Sequence, residues 1–164
     1  EGDWAGWGIV WRIYLYSRLF CAEKAGRMLD LLFDEQNGLL LPNGFAAHPY
    51  ECGHIFQYDA NAGFPGALLE MFVSCPKDAI RLLPAVPARF QSGRIRGVRT
   101  FGGFVVEDLV FRDGTVVSCK ILSENGGALS VEIKGRRLSC DTERGERYAV
   151  GEGGFVLQRI SDAK

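Results

Sequence analysis

Residues 7–33 read WGIVWRIYLYSRLFCAEKAGRMLDLLF, and this stretch decides the fold class of the first half of the chain. Its first part is apolar on nearly every side, and its charges are Arg12 and Arg18. Its second part, AEKAGRMLDLLF, is amphipathic at helical spacing. A helix that is apolar all round is packed between other elements. The pattern therefore predicts a helical region that exposes apolar patches unless further elements cover it.

The tryptophans of this region have helical spacing. Trp4, Trp7 and Trp11 are three and four residues apart, so they share one helical face. Core packing is the first interpretation of that face, and an aromatic surface against a sugar ring is the second.

The chain changes character near residue 90, where helical spacing gives way to short strands separated by turns. Arg112-Asp113-Gly114 and Asn125-Gly126-Gly127 are turn signals of the hairpin type. The predicted strands are Arg94–Thr100, Gly103–Phe111, Thr115–Leu122, Ala128–Lys134, Arg137–Cys140 and Gly154–Ile160. We therefore predict an α+β chain with a helical part at 1–89 and an antiparallel, sandwich-like β domain at 90–164.

Composition excludes several function classes. The chain has 164 residues, of which 47% are hydrophobic and 24% are charged, as in globular proteins. The net charge of −1 gives no electrostatic support for a nucleic-acid partner, and no apolar run is long enough for a membrane span. We expect no cofactor. The five scattered cysteines predict buried free thiols, although a disulfide stays open.

A long connection, LLLPNGFAAHPYECGHIFQYDANAG, covers residues 39–63 and carries the polar groups of interest. Connections of this length are often functional. Asp59 lies in it, with the amides of Gln57 and Asn61 nearby. A second helix is predicted over Pro65–Cys75, with proline at its opening. Asp59 is then either a catalytic carboxylate in a cleft or a cap for that helix, and Asn61 has the same two interpretations.

Both histidines of the chain, His48 and His54, also lie in this connection. A third ligand at metal-binding spacing is missing from the sequence pattern, so a metal site is poorly supported. We expect the histidines to contact a polar ligand or to make loop hydrogen bonds.

Three stretches together resemble the C-terminal part of the α-L-fucosidases of glycoside hydrolase family 95. The stretches are AGWGIVWRIYLYSRLFCAEKAGRMLDLLF, then LLLPNGFAAHP followed by FQYDANAGFPGALLEMF, and finally AIRLLPAVPARFQSGRIRGVRTFGGFVVEDLVFRDG. The resemblance covers roughly residues 4–134. It implies that the helices are the last ones of an (α/α)6 barrel, and that the β domain follows this barrel.

The resemblance also implies a chemistry. The family hydrolyses fucosides with inversion, using a glutamate as general acid and an asparagine pair that activates water with support from an aspartate. That aspartate matches Asp59, while His48 matches a histidine that contacts the sugar. This chain has Ala60 and Ala62 where the family pattern has glycine and phenylalanine, and its loop is longer, so His54 could replace His48. The segments that carry the general acid and the asparagine pair lie upstream in the family.

The sequence therefore predicts a fragment of an inverting glycoside hydrolase that releases terminal α-L-fucose, inactive by itself. Its substrate would be an α-1,2-linked fucoside or a related L-galactoside in an oligosaccharide or polysaccharide. Its partners would be the missing barrel segments. Asp59 is the predicted catalytic residue, and the predicted substrate-binding residues are His48, His54, Gln57 and Asn61. The alternatives are a non-catalytic carbohydrate-binding or accessory module, a structural domain without a ligand, and a hydrolase for another sugar.

Overall fold

The computed structural model describes residues 5–34, 39–48, 55–76, 78–151 and 156–160, and for His48 and Ile55 it describes the backbone alone. In the described residues, two α-helices come first, a pair of short strands and a third α-helix follow, and a β part with a short 3-10 helix at Ala88–Phe90 comes last. The helices are α1 (Gly6–Arg18), α2 (Ala22–Phe33) and α3 (Tyr58–Glu70). The predicted α+β class is confirmed. Within the described residues, every helix is too short or too polar to cross a membrane.

The predicted helical region of residues 7–33 is divided into two helices. α1 ends at Arg18, and the backbone N–H groups of Leu19 and Phe20 donate to the carbonyls of Leu15 and Ser17. Phe20 has a φ of 58°, a left-handed conformation that stops the helix and reverses the chain. The apolar pattern continues through this turn because α1 and α2 bury residues in the same core.

Helices α1 and α3 run parallel to each other, and small residues let them approach closely. Successive contacts along the pair join Gly6 with Ala60, Val10 with Gly63, Tyr14 with Gly66, and Arg18 with Glu70. Because both residue numbers rise together, the amino-terminal ends of the two helices lie side by side. The phenol of Tyr14 also donates to the carbonyl of Gly63 across a distance of 3.3 Å.

The predicted bounds of the second helix are wrong. α3 begins at Tyr58 and ends at Glu70, so Pro65 lies inside the helix and Asp59 belongs to its first turn. A proline in a helix interior costs about 3 kcal/mol because it lacks an N–H and crowds the preceding turn. The glycine-rich packing of α3 against α1 offsets that cost, a tertiary contribution that helix-start signals do not contain.

The described residues contain twelve strands in three sheets. β1 (Ala47–His48) pairs with β2 (Ile55–Phe56), ahead of α3. The later strands are β3 (Val73–Ser74), β4 (Ile80–Leu82), β5 (Gly93–Ile95), β6 (Val98–Thr100), β7 (Phe104–Arg112), β8 (Thr115–Ser123), β9 (Gly127–Ile133), β10 (Arg136–Thr142), β11 (Arg147–Val150) and β12 (Leu157–Ile160).

The later strands form two sheets. One has the order β10-β9-β4-β3, and the other has the order β12-β11-β8-β7-β5, with β6 also paired to β7. All pairings are antiparallel except that of β4 with β9. Apolar side chains from both sheets point into one core, as a sandwich-like arrangement requires. Because β3 and β4 come before residue 90 and β4 pairs with β9, the first sheet contains residues from both sides of the predicted domain boundary.

The predicted hairpin between β7 and β8 is confirmed. Asp113 and Gly114 both have positive φ angles, of 49° and 63°, as a two-residue turn of type I′ requires. Lys134 and Gly135 repeat this geometry between β9 and β10. β5 and β6 were predicted as one strand, but they are separated at Gly97, where φ is 72°. Residues 154–155 of the predicted last strand lie outside the described residues.

One hydrophobic core joins the helices to the β part. Phe72, which follows α3, packs against Phe111 of β7 with ring centroids 5.6 Å apart. On the opposite side of α1, Trp7, Trp11 and Leu15 leave an apolar stripe about half exposed. The prediction of exposed apolar patches is therefore confirmed, and core packing of Trp7 and Trp11 within this chain is wrong. Trp4 lies outside the described residues.

The cysteines Cys21, Cys75, Cys119 and Cys140 are free thiols, as predicted, and Cys119 is buried. Burial raises the pKa of the Cys119 thiol to about 12, so this thiol stays neutral at physiological pH. The other three are half-buried, and Cys52 lies outside the described residues.

Candidate functional site

The polar residues predicted to form a site gather where α1 and α3 begin. Gln57 is the residue immediately before α3, and its side chain is 6% exposed. Its Oε1 accepts a hydrogen bond from the backbone N–H of Trp7, in the first turn of α1, at 3.3 Å. Gln57 thereby fixes the two amino-terminal helix ends to each other. Its Nε2 is also buried and finds no hydrogen-bond partner among the described residues.

Asp59 lies in the first turn of α3 with its side chain exposed. Its Oδ1 accepts the backbone N–H of Ala60 at 3.0 Å. A carboxylate in the first turn of a helix interacts favourably with the helix dipole. The hydrogen bond corresponds to the capping interpretation, while the exposed position leaves the carboxylate accessible to a ligand or to a further segment.

Asn61 fastens the long connection to α3 with both ends of its amide. Its Oδ1 accepts the backbone N–H of Ala46 at 2.7 Å, and its Nδ2 donates to the carbonyl of Gly44 at 2.9 Å. The backbone N–H of Gln57 adds a third tie by donating to the carbonyl of Ala46. Residues 44–46 are thus held rigidly beside the start of α3.

The two histidines are described only in part. His48 is the last residue of β1 and pairs with Ile55, which brings its backbone close to the start of α3. His54 lies outside the described residues. Their roles stay predictions. Within the described part of the chain, no cluster of three or more histidine, cysteine or acidic side chains could hold a metal ion.

Sequence reasoning missed an exposed aromatic cluster beside Asp59, formed by Phe45, Phe56 and Tyr58. The ring centroids of Phe45 and Phe56 are 4.8 Å apart, and those of Phe56 and Tyr58 are 6.3 Å apart. The three side chains are 47% to 72% exposed. The alternation of aromatic and polar residues in FQYD was the available signal, but the position of Phe45 depends on the folded loop.

Two neighbouring acidic side chains of β7, Glu107 and Asp108, are engaged in ion pairs. Both oxygens of Glu107 accept from Arg147, at 2.9 and 3.1 Å. Both oxygens of the neighbouring Asp108 accept from Arg94, at 2.6 and 2.9 Å. These contacts link β7 to β5 and to β11, so both carboxylates have a structural role.

Comparison with known sequences matches two family models along the chain. Residues 2–72 match the model of the glycosyl hydrolase family 95 catalytic domain, and residues 75–154 match that of the glycoside hydrolase family 95 C-terminal domain. The chain belongs to glycoside hydrolase family 95. The catalytic-domain match contains every residue of the candidate site described above.

Two similar proteins are α-fucosidases by name. The family 95 chain is 36% identical over 147 residues to alpha-L-fucosidase 2 of Arabidopsis thaliana, a match that covers 84% of this chain and 16% of that protein. It is 33% identical over 147 residues to the probable alpha-fucosidase A of Aspergillus oryzae, covering 82% of this chain and 20% of that protein. The family 95 chain therefore spans about a fifth or less of the length of these curated relatives.

Proposed function

We propose that this chain is part of an inverting glycoside hydrolase that releases terminal α-L-fucose from glycans. The observation that carries the proposal is the exposed Asp59 carboxylate, at the end of the molecule where α1 and α3 both begin. It lies within the match to the family 95 catalytic domain. The names of the related proteins support fucosides as the substrate class.

The helices support an (α/α)6 barrel as the complete catalytic unit. In such a barrel, alternate helices form an inner layer whose members run in the same direction. α1 and α3 are parallel, and α2 connects them, which fits two inner helices and one outer helix. The half-exposed stripe of Trp7, Trp11 and Leu15 would then be covered by barrel helices supplied by the rest of the protein.

In this proposal Asp59 is the carboxylate that supports the asparagine pair. A neutral amide is a weak base, and a carboxylate that accepts its N–H raises the basicity of the amide oxygen. That oxygen could then take a proton from the water that attacks the anomeric carbon. The general acid and the asparagine pair would come from other segments, so we propose that residues 1–164 alone release no fucose.

The proposal is tested in the longer protein that contains this chain. We expect Asp59→Asn to lower kcat by at least about a hundredfold, because the asparagine pair loses its charged support, while KM changes little. Fucose release from a fucosylated oligosaccharide is the measurement. Asp113→Asn is the matched control, since Asp113 occupies a distant hairpin turn that asparagine also favours. Unchanged turnover in Asp59→Asn would contradict the proposal.

A second candidate is a non-catalytic carbohydrate-binding module. The hydrogen bond from the Ala60 N–H to Asp59 favours it, because this carboxylate then already has a structural role. This alternative predicts that the longer protein binds fucosylated glycans in calorimetry but releases no fucose from them.

A further inference from the structure

We propose that Phe45, Phe56 and Tyr58 form a stacking platform for the ring of the terminal fucose. This inference rests on the function proposed above and deepens it, because it adds the surface that would bind the sugar beside Asp59. The three residues are called the aromatic platform below.

Exposure is the first observation. Each platform ring leaves about half or more of its surface open, although three neighbouring aromatics could be buried together. Exposed aromatic clusters mark binding surfaces, because burying large rings is a main source of affinity at ligand sites.

Rigidity is the second observation. Phe45 lies between Gly44 and Ala46, whose backbones are bonded to the amide of Asn61. Phe56 belongs to β2, where it pairs with Ala47, and Tyr58 is the first residue of α3. A platform held by a side-chain clamp, a strand pair and a helix loses little freedom when a ligand binds, and such preorganisation favours affinity.

Position is the third observation, and it selects the occupant. Tyr58 and Asp59 are consecutive residues of the first turn of α3 and both are exposed, so the platform and the carboxylate lie at the same end of the helix. L-Fucose has matching chemistry: ring C–H bonds and a methyl group gather on one face, and hydroxyl groups surround the ring. A sugar stacked on the platform could therefore present hydroxyl groups toward the polar side chains at the start of α3. A helix of the same protein would cover the platform but would not need the adjacent charge.

The experiment uses the longer protein and measures KM and kcat for two substrates. One is a fucosylated trisaccharide, and the other is α-L-fucosyl fluoride, which has no second sugar. For Phe56→Ala and Tyr58→Ala we expect KM to rise about tenfold with both substrates, with kcat changed less than about threefold. Product inhibition by free L-fucose should weaken by a similar factor.

Two further variants separate stacking from general apolar contact and from misfolding. Phe56→Leu retains apolar volume but lacks a flat ring, so we expect the same rise in KM as for Phe56→Ala. Phe101→Ala removes an exposed aromatic from the β part and should leave KM unchanged. Wild-type KM in Phe56→Leu would overturn the platform, as would an equal effect in Phe101→Ala.

The remaining outcomes also decide the inference. A rise in KM for the trisaccharide alone would indicate that the platform contacts the neighbouring sugar and not the terminal fucose. This result would contradict the proposal. A lower melting temperature with unchanged KM would show that protein covers the rings, and this would also contradict it. Calorimetry with free L-fucose tests the platform even if Asp59→Asn keeps full turnover. In that case the catalytic role of Asp59 fails while the platform is judged separately.

Discussion

The side-chain oxygen of Gln57 accepts the backbone N–H of Trp7, so the residue that precedes α3 also caps α1. The residue before α1, Ala5, has no side chain that could cap this helix. A glutamine 50 positions away in the sequence provides the acceptor instead. The start of α1 and the candidate site on α3 are therefore mechanically joined.

We expect Gln57→Ala to lower the free energy of unfolding by about 1 kcal/mol, because the Trp7 N–H loses its acceptor inside the protein. Urea denaturation of the chain measures the change. Gln158→Ala, on the exposed part of β12, is the control and should change stability by less than about 0.5 kcal/mol. Equal free energies of unfolding for the two variants would mean that the hydrogen bond from Trp7 to Gln57 does not contribute to stability.

Two glycines on neighbouring helices should respond to alanine in opposite directions. A Cβ at Gly66 would collide with the hydroxyl of Tyr14 and lie 3.3 Å from its ring carbon Cζ, whereas a Cβ at Gly8 has nothing within 4 Å. We expect Gly66→Ala to destabilise the chain by about 1–3 kcal/mol through overpacking, and Gly8→Ala to stabilise it by about 0.5–1 kcal/mol. Melting temperatures measure both. A stabilising Gly66→Ala would refute the close packing of α1 on α3.

Glu70 should matter far more than a surface glutamate in an ion pair. Its side chain is 14% exposed, and it accepts hydrogen bonds from Arg18 and from the buried Ser74, each at 2.8 Å. We expect Glu70→Ala to cost about 2–3 kcal/mol, because the Ser74 hydroxyl is left buried without its acceptor. Glu23, 86% exposed and paired with Arg27, is the matched comparison, and Glu23→Ala should cost less than about 0.5 kcal/mol. Chemical denaturation measures the free energy of unfolding of both variants. A similar loss of stability in the two would contradict the role of Glu70 in this network.

The Arg94–Asp108 pair predicts part of the acid sensitivity of the β part. Hydrogen bonds from Arg94 lower the pKa of the Asp108 carboxyl, and the nearby charges of Arg94 and Arg96 add to this effect. Since the unfolded carboxyl titrates near about pH 3.9, the stabilisation is complete above that pH. This stabilisation is lost as the pH falls below the unfolded pKa and then through the lower pKa of the native state.

We expect the free-energy difference between the wild type and Arg94→Ala to be present at pH 6 and to shrink below about pH 4. Urea denaturation across this range measures it, with Arg144→Ala, an exposed residue of a turn, as the control. A difference that stays constant down to pH 2 would contradict the role of this pair in acid sensitivity.

The sequence by itself determined the composition class, the helical first part, the hairpins and the family. Asp113-Gly114 specifies its turn locally, because positive φ angles at two successive residues require such residue types. The apolar pattern of α1 also predicted exposed patches, since a helix that is apolar on nearly every side needs further elements to cover it. Strands β1 to β4 and β11 were missed because they are short, and β4 pairs with β9, which lies far along the chain.

Tertiary structure alone decided where α3 begins and which residues its first turn contacts. Local rules place a proline at a helix start, yet the glycine contacts with α1 stabilise seven residues of helix before Pro65. Only folding brings Phe45 to Phe56 and ties the Asn61 amide to the loop backbone. These features depend on packing between segments distant in the chain, so a local sequence pattern cannot encode them.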